Sequence, residues 1–177
     1  MLPYALEIPE VTYDRAQLHE MAKTLKPEMT FFRNSKGGIH HHKVLKLMED
    51  HRARFPYINI LLDEFCFGDI PVQPALLQFF PHLGINLHVD DERGCVIQFP
   101  LTPEAEHYAP IEWHEDGRCV YQHTYKNDRP TLVDTQRPHL VANQNAVRIA
   151  FQIGLKATFE HIVDLYQSGS LLRQKTS

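Results

Sequence analysis

GINLHVDDERGCVIQFPL, Gly84–Leu101, is the stretch on which the reading of this chain turns. Two apolar runs, Ile85–Val89 and Cys95–Leu101, flank a polar DERG segment, the pattern of two short strands joined by a turn. On a strand, residues i and i+2 share a face, so the imidazole of His88 and the carboxylate of Asp90 can converge on one point. His-x-Asp alone is a weak signal in a chain with 12 histidines. Its weight depends on what surrounds it.

Downstream the same rhythm continues. Ala109–His114, Cys119–Tyr125, Thr131–Asp134, His139–Ala142 and Val147–Leu155 read as further short strands, separated by TPEAEH, EDGR, KNDRP, TQRP and NQNA. Short strands at this spacing with polar turns predict an antiparallel sandwich or barrel. In the tail from Lys156 to Gln167, the side chains of Phe159, Ile162, Val163 and Tyr166 fit one helix face, while ATF could instead extend the last strand. Upstream, residues 1–12 read as edge or coil. Asp14–Thr24 has helical spacing, with Asp14 placed to cap it. Met29–Phe32 is a short apolar run, and Asn34–Gly38 a turn. His40, His41 and His42 open a second helical pattern with Val44, Leu45, Leu47 and Met48 on its apolar side, stopped by Pro56. Tyr57–Leu62 reads as a strand or short buried run, and Pro74–Phe80 as a short helix or turn. The expected class is mainly β with N-terminal helices, in one domain over 1–177. Residues 1–83 form a helical or mixed brace, 84–155 the barrel core and 156–177 a C-terminal extension.

Composition narrows the function classes. The net charge of −4 provides no basic field for a phosphate backbone, which disfavours nucleic acid as partner. Three cysteines without a CxxC argue against a disulfide framework and point to a reducing, cytoplasmic setting. No apolar stretch is long enough for a membrane span. A homo-oligomer stays open.

A third ligand for an ion held by His88 and Asp90 is offered by His139, at the start of a later strand. Two histidines and one carboxylate form the facial triad of non-haem Fe(II) oxygenases, which leaves open coordination positions for cosubstrate and O₂. Arg148 follows nine residues later, inside the apolar run VRIAFQIGL. An arginine there either faces outward from a half-exposed strand or points into the barrel, where it must be paired. Pointing inward, its guanidinium would grip a carboxylate bidentately, as a dicarboxylate cosubstrate requires.

The order His-x-Asp, distal His, then Arg resembles the 2-oxoglutarate and Fe(II)-dependent oxygenase superfamily. Pro138–Leu155, PHLVANQNAVRIAFQIGL, carries most of the likeness through its His-x-Val-x-Asn pattern before the arginine. It is similar to the aspartyl/asparaginyl β-hydroxylase-like and prolyl-hydroxylase-like branches, and WHEDG (Trp113–Gly117) resembles the turn before the distal strands of the first. Asp90 departs from that first branch, whose classical members lack the carboxylate ligand. The resemblance, which covers about Ile85–Leu155, implies a double-stranded β-helix core of jelly-roll or cupin type. It implies Fe(II) on His88, Asp90 and His139, and 2-oxoglutarate held through Arg148. The activity implied is hydroxylation of a C–H bond in an amino-acid side chain, a peptide or a small molecule, with release of succinate and CO₂. Residues 1–83 would then build the substrate side.

Further cosubstrate-binding candidates are Asn86, sharing the face of His88, Arg93 in the following loop, and Tyr121 and Thr124, placed to donate to the same carboxylate as Arg148. Gln98 and Gln122 are further pocket candidates whose facing depends on strand register, and Asn143 is a candidate for ordering the strand of the distal His or touching substrate. Trp113 serves equally as core or substrate contact. His40–His42 read as surface residues, since three consecutive helical side chains diverge. His82, His107, His114 and His123 are competing histidines. Two rivals share these residues: a cupin-like metalloenzyme that does not use 2-oxoglutarate, and a non-enzymatic β-sandwich binding module. Convergence of His88, Asp90 and His139 on one point discriminates against the second.

Overall fold

The computed structural model describes residues 3–33, 39–102, 110–126, 128–142 and 145–174, with the side chains of 33 and 39–41 left aside. Asn143, His107 and the turn at Asn34–Gly38 lie outside the described residues. The elements are β1 (Ala5–Glu7), α1 (Arg15–Leu25), β2 (Thr30–Arg33), β3 (Ile39–Lys46), α2 (Glu49–Arg54), α3 (Tyr57–Leu62), β4 (Val72–Phe79), β5 (Ile85–His88), β6 (Cys95–Pro100), β7 (Ile111–Glu115), β8 (Arg118–His123), β9 (Thr131–Asp134), β10 (His139–Val141), β11 (Arg148–Leu155) and α4 (Phe159–Gln167). The strands form two antiparallel sheets, a seven-stranded one in the order β1-β9-β6-β11-β4-β3-β2 and a four-stranded one in the order β5-β10-β7-β8. This is a double-stranded β-helix with N-terminal helices, the class the sequence predicted.

All seven strands expected from Gly84 onward are present, and α4 takes the helical reading of the tail. Asp14 caps α1 by accepting from the Gln17 amide at 2.9 Å, and Thr158 caps α4 by accepting from His161 N at 3.2 Å. The β7–β8 hairpin turns on Asp116 and Gly117, both at positive φ (49° and 75°), as a tight Asp-Gly hairpin demands.

Three upstream readings are corrected. His40–His42 and the apolar residues after them do not form a helix. Residues 39–46 are β3, paired on one side with β2 and on the other with β4. Pairing on both edges overrides a short run whose apolar spacing fits either period. His42 is accordingly buried (7% exposed), not a surface histidine, and stacks between Phe32 (5.3 Å) and Phe79 (5.4 Å). Tyr57–Leu62 is helix α3, with Pro56 at its start and Ile58 and Leu61 buried one turn apart. Pro74–Phe80 is neither helix nor turn but most of β4, an interior strand. Pro74 fits there because its carbonyl accepts from Leu47 N (2.9 Å), so its missing N–H points to the side where β3 has already ended.

Strand alternation gives the large sheet two different faces. Leu76, Ile97, Phe99, Leu132, Phe151, Ile153 and Leu155 pack against Leu18, Met21 and Leu25 of α1, Ile58 and Leu61 of α3, and Phe159, Ile162 and Val163 of α4. The intervening residues face the barrel. Register aligns Thr131, Gln98 and Gln152 in one row across β9, β6 and β11, and sets Arg148 beside Phe79 of β4.

Candidate metal centre

His88 ends β5 and His139 begins β10. The two strands pair with these residues directly opposite one another, placing the imidazole centroids 4.3 Å apart. Asp90 lies just past β5, its amide donating to the Thr135 carbonyl at 3.0 Å. One ligand atom from each of His88, Asp90 and His139 falls within 4.8 Å of the others.

The imidazoles are oriented by the main chain. Nδ1 of His88 is 2.7 Å from the Asn86 carbonyl, and Nδ1 of His139 is 2.9 Å from the Arg137 carbonyl. A carbonyl can only accept, so Nδ1 carries the proton in both rings and Nε2 presents its lone pair to the site. Nε2 of His88 stands 3.6 Å from Asp90 Oδ1, while the other carboxylate oxygen accepts from Arg93 Nε at 2.7 Å. Gln136 ties the loop together, its amide nitrogen donating to the carbonyls of Asp90 (2.9 Å) and Arg93 (2.7 Å).

Electrostatics favour the ligating forms of two of the three groups. Burial, together with the charge of His88, pulls the His139 pKa down to about 4, so this ring is neutral near pH 7. Burial of Asp90 raises its pKa, but the neighbouring His88 and the Arg93 guanidinium outweigh that and hold it well below the usual carboxylate range. For His88, burial acts downward, yet the Asp90 carboxylate beside it and the hydrogen bond to the Asn86 carbonyl leave the pKa raised.

Arg148 points into the barrel and is 2% exposed. Its guanidinium is sandwiched between the rings of Tyr125 (4.2 Å) and Phe79 (5.2 Å), and Nη2 donates to Gln98 Oε1 at 2.8 Å. Nη1 is buried without a hydrogen-bond partner among the described residues, as are Thr131 Oγ1, Gln152 Oε1 and His123 Nε2. A buried guanidinium with its faces covered, one edge partnered and no carboxylate against it among the described residues is poorly compensated. It suits an incoming anion.

The other candidates fall in varied places. Asn86 is exposed and contributes its carbonyl to His88 rather than its side chain to a ligand. Arg93 pairs with Asp90. Tyr121 lies against Tyr4 (5.5 Å) and Trp113 (5.6 Å). Thr124 is exposed, while its neighbours His123 and Tyr125 turn inward. Gln98 joins Arg148, whereas Gln122 bonds Glu112 on the other side of β8. Trp113 is core, its indole N–H donating to the Asp134 carbonyl at 2.9 Å. Tyr125, Phe79, Gln136, Thr131 and Gln152 were not singled out from the sequence. Cross-strand register, which sequence does not provide, brings most of them in.

The donor set of two imidazole Nε2 atoms and one carboxylate, beside a buried and underpartnered guanidinium, fits Fe(II) and a carboxylate-bearing cosubstrate.

No family model and no curated protein matches the chain by sequence. Solved structures do match it by fold. A prolyl hydroxylase from Trichoplax adhaerens, solved with a hypoxia inducible factor oxygen degradation domain peptide fragment, aligns with a TM-score of 0.65 at 14% identity, covering 86% of this chain and 83% of that one. A Pseudomonas putida prolyl-4-hydroxylase aligns at 0.60 and 9% identity, covering 87% and 93%. The non-heme alpha ketoglutarate dependent carbocyclase SnoK, from nogalamycin biosynthesis, aligns at 0.53 and 13% identity, covering 86% and 79%. The fold is therefore that of the 2-oxoglutarate/Fe(II)-dependent oxygenases, prolyl-hydroxylase-like members among them.

Proposed function

We propose that this protein is an Fe(II)- and 2-oxoglutarate-dependent oxygenase that hydroxylates an unactivated C–H bond of an amino-acid side chain, a peptide or a small molecule. The observation that carries the reading is the convergence of His88, Asp90 and His139 in a barrel that also buries Arg148 with an Nη1 that has no partner among the described residues. A lone metal site accounts for the first half of that observation; a dicarboxylate cosubstrate accounts for both.

Iron with 2-oxoglutarate would supply, with O₂ as the oxidant, oxidative decarboxylation to succinate and CO₂ coupled to hydroxylation of the substrate C–H bond, one oxygen atom going to succinate and one to the product. The chain's own residues perform the positioning. Asn86 and Arg137 lend carbonyls that fix the two imidazoles, and Arg93 keeps Asp90 ionised. Gln98, Tyr125 and Phe79 hold the Arg148 guanidinium so that its Nη1 edge meets the far carboxylate of the cosubstrate. The prolyl hydroxylases among the similar structures, one of them solved with a peptide, make peptidyl proline the first substrate class to assay. No helix among the described residues is long and apolar enough to cross a membrane. Cys66, Cys95 and Cys119 are all free thiols, which supports a reducing, cytoplasmic setting for the enzyme.

The test is anaerobic titration of the Fe(II)-loaded protein with 2-oxoglutarate, followed by visible absorbance. A charge-transfer band that saturates with cosubstrate, is absent from His139→Ala and needs far more cosubstrate in Arg148→Met is the expected result. Iron binding without any band would remove 2-oxoglutarate from the reading and leave a cupin-like metalloenzyme.

A further inference from the structure

We propose a second divalent-cation site, for a borderline-soft ion of the zinc class, on the outer face of the small sheet, formed by Glu112, His114 and Cys119. It is independent of the oxygenase reading. In β7, Trp113 points into the barrel, so its neighbours Glu112 and His114 point out. Cys119 has the parity of the inward-facing Tyr121 and in a regular ladder would point inward as well. The register shifts between Trp113 and His114, so that Trp113 pairs with Tyr121 but His114 pairs with Cys119. Val120 is the extra residue of this bulge and is exposed. The shift turns Cys119 to the outer face, beside the two residues of β7, which is a recognised use of a bulge.

The result is a set of one thiol, one imidazole and one carboxylate whose ligand atoms all lie within 4.8 Å of one another. Nε2 of His114 is 3.2 Å from Glu112 Oε2, close to the N···O edge of a tetrahedron drawn with the usual zinc bond lengths of about 2.0–2.1 Å. The other carboxylate oxygen, Oε1, accepts from Gln122 Nε2 at 3.0 Å. That bond orients the carboxylate in the way outer-shell partners orient metal ligands. Main-chain structure stiffens the base: His114 N donates to the Pro138 carbonyl at 2.9 Å, and the hairpin closes through the positive-φ pair Asp116 and Gly117. Mixed sulfur, nitrogen and oxygen donors select zinc-like ions over magnesium or calcium. With three protein ligands, the fourth position of a tetrahedral ion stays with solvent. Because Trp113 between the two β7 ligands is paired with His139, an ion here would clamp the strand that neighbours the first centre.

The test uses the full chain with cobalt(II) under anaerobic conditions, then zinc(II) in competition. A thiolate-to-cobalt band in the near ultraviolet, saturating with one equivalent and bleached by zinc, is expected in the unmodified protein and in Cys66→Ser. His139→Ala, which disables the first centre, keeps the band. Cys119→Ser and Glu112→Gln lose or weaken it with an unchanged far-ultraviolet spectrum, and Gln122→Ala lowers affinity roughly tenfold or more. Absence of the band at saturating cobalt, or its persistence in Cys119→Ser, overturns the proposal.

Discussion

Consecutive residues of β11 belong to two different economies. Ile149, Phe151, Ile153 and Leu155 face the helices, and the last three are fully buried within the large apolar cluster. Arg148 and Gln152 face the barrel, equally buried, with polar atoms that find no partner among the described residues. The same contrast repeats on β6, where Ile97 and Phe99 pack on the helices while Gln98 turns to Arg148, and on β9, where Leu132 and Thr131 divide likewise. Burial on the helix side lowers the free energy of folding. Burial of an unpartnered polar atom on the barrel side costs about 1–3 kcal/mol each. A sheet that accepts that cost on one face only is stabilised by the other face and presents the first to a ligand.

The strongest way to break this comparison is to delete one side chain from each face of β11. Phe151→Ala should destabilise the protein by about 3–5 kcal/mol, as large-to-small core substitutions do. Arg148→Met, of similar length and apolar, should leave stability unchanged or raised, because it removes a poorly compensated buried charge, while cosubstrate affinity falls steeply. Denaturant unfolding of both variants reads the first pair of effects and cosubstrate titration the second. An Arg148→Met protein that unfolds as readily as Phe151→Ala would show that the barrel-facing arginine is structural.

A smaller loss is expected where the loop carrying Asp90 approaches the end of β11. A Cβ at Gly94 would collide with the carbonyl of Ala157, and Gly94 N also donates to the Leu155 carbonyl at 2.9 Å. Backbone cannot give way as a flexible side chain can. Gly94→Ala should therefore cost about 1–3 kcal/mol and weaken iron binding, since the loop that positions Asp90 must shift. Thermal unfolding together with iron titration reads both consequences. Normal stability with normal iron affinity would refute the close approach.

These faces also explain what the sequence revealed. The seven distal strands were legible because each is a short run between strong turn signals, and EDGR and TQRP leave little alternative. The convergence of His88, Asp90 and His139 was legible because the short His-x-Asp spacing keeps the first two together and the arginine marks the later strand, although Asp90 lies past the end of β5. β3 and β4 were not legible. Their runs are apolar on both faces or carry a proline, and only pairing with β11 and β2 makes them strands. Tyr125 and Gln136 escaped for a different reason: one follows the end of β8, the other lies in a turn, and no periodicity marks where either side chain reaches. Thr124, a candidate from the sequence, faces outward while Tyr125 beside it faces inward, a one-residue difference that cannot be resolved without the register.

Acid should weaken iron loading in two stages, with the sign set by which protonation state binds. Each imidazole must be neutral to ligate, so protons compete with the metal. His88, raised above its ordinary value, is the first to take a proton as pH falls. His139 follows only near pH 4. Asp90, held low, stays ionised throughout this range. Affinity for Fe(II) should drop by about one decade per pH unit below the His88 pKa and by about two per unit below pH 4. Anaerobic equilibrium titrations across this range measure the slope. A two-decade slope already at pH 6 would mean that His139 titrates with His88 and is not protected by burial.

The gentlest test concerns Thr131, which is fully buried on the barrel face next to Leu132 on the helix face. Its hydroxyl has no partner among the described residues. Thr131→Val replaces that hydroxyl with a methyl group of nearly the same size. When the lost polar atom was unsatisfied, the desolvation cost disappears with it, so stability should be unchanged or should rise by up to about 1 kcal/mol. Leu132→Ala, one residue away on the opposite face, should cost about 2–5 kcal/mol. Unfolding midpoints of the two variants in the same denaturant compare them directly. If Thr131→Val instead loses more than about 1 kcal/mol, its hydroxyl is satisfied by ordered water. The polar row of Thr131, Gln98 and Gln152 then belongs to a hydrated core and not to a surface kept ready for a cosubstrate.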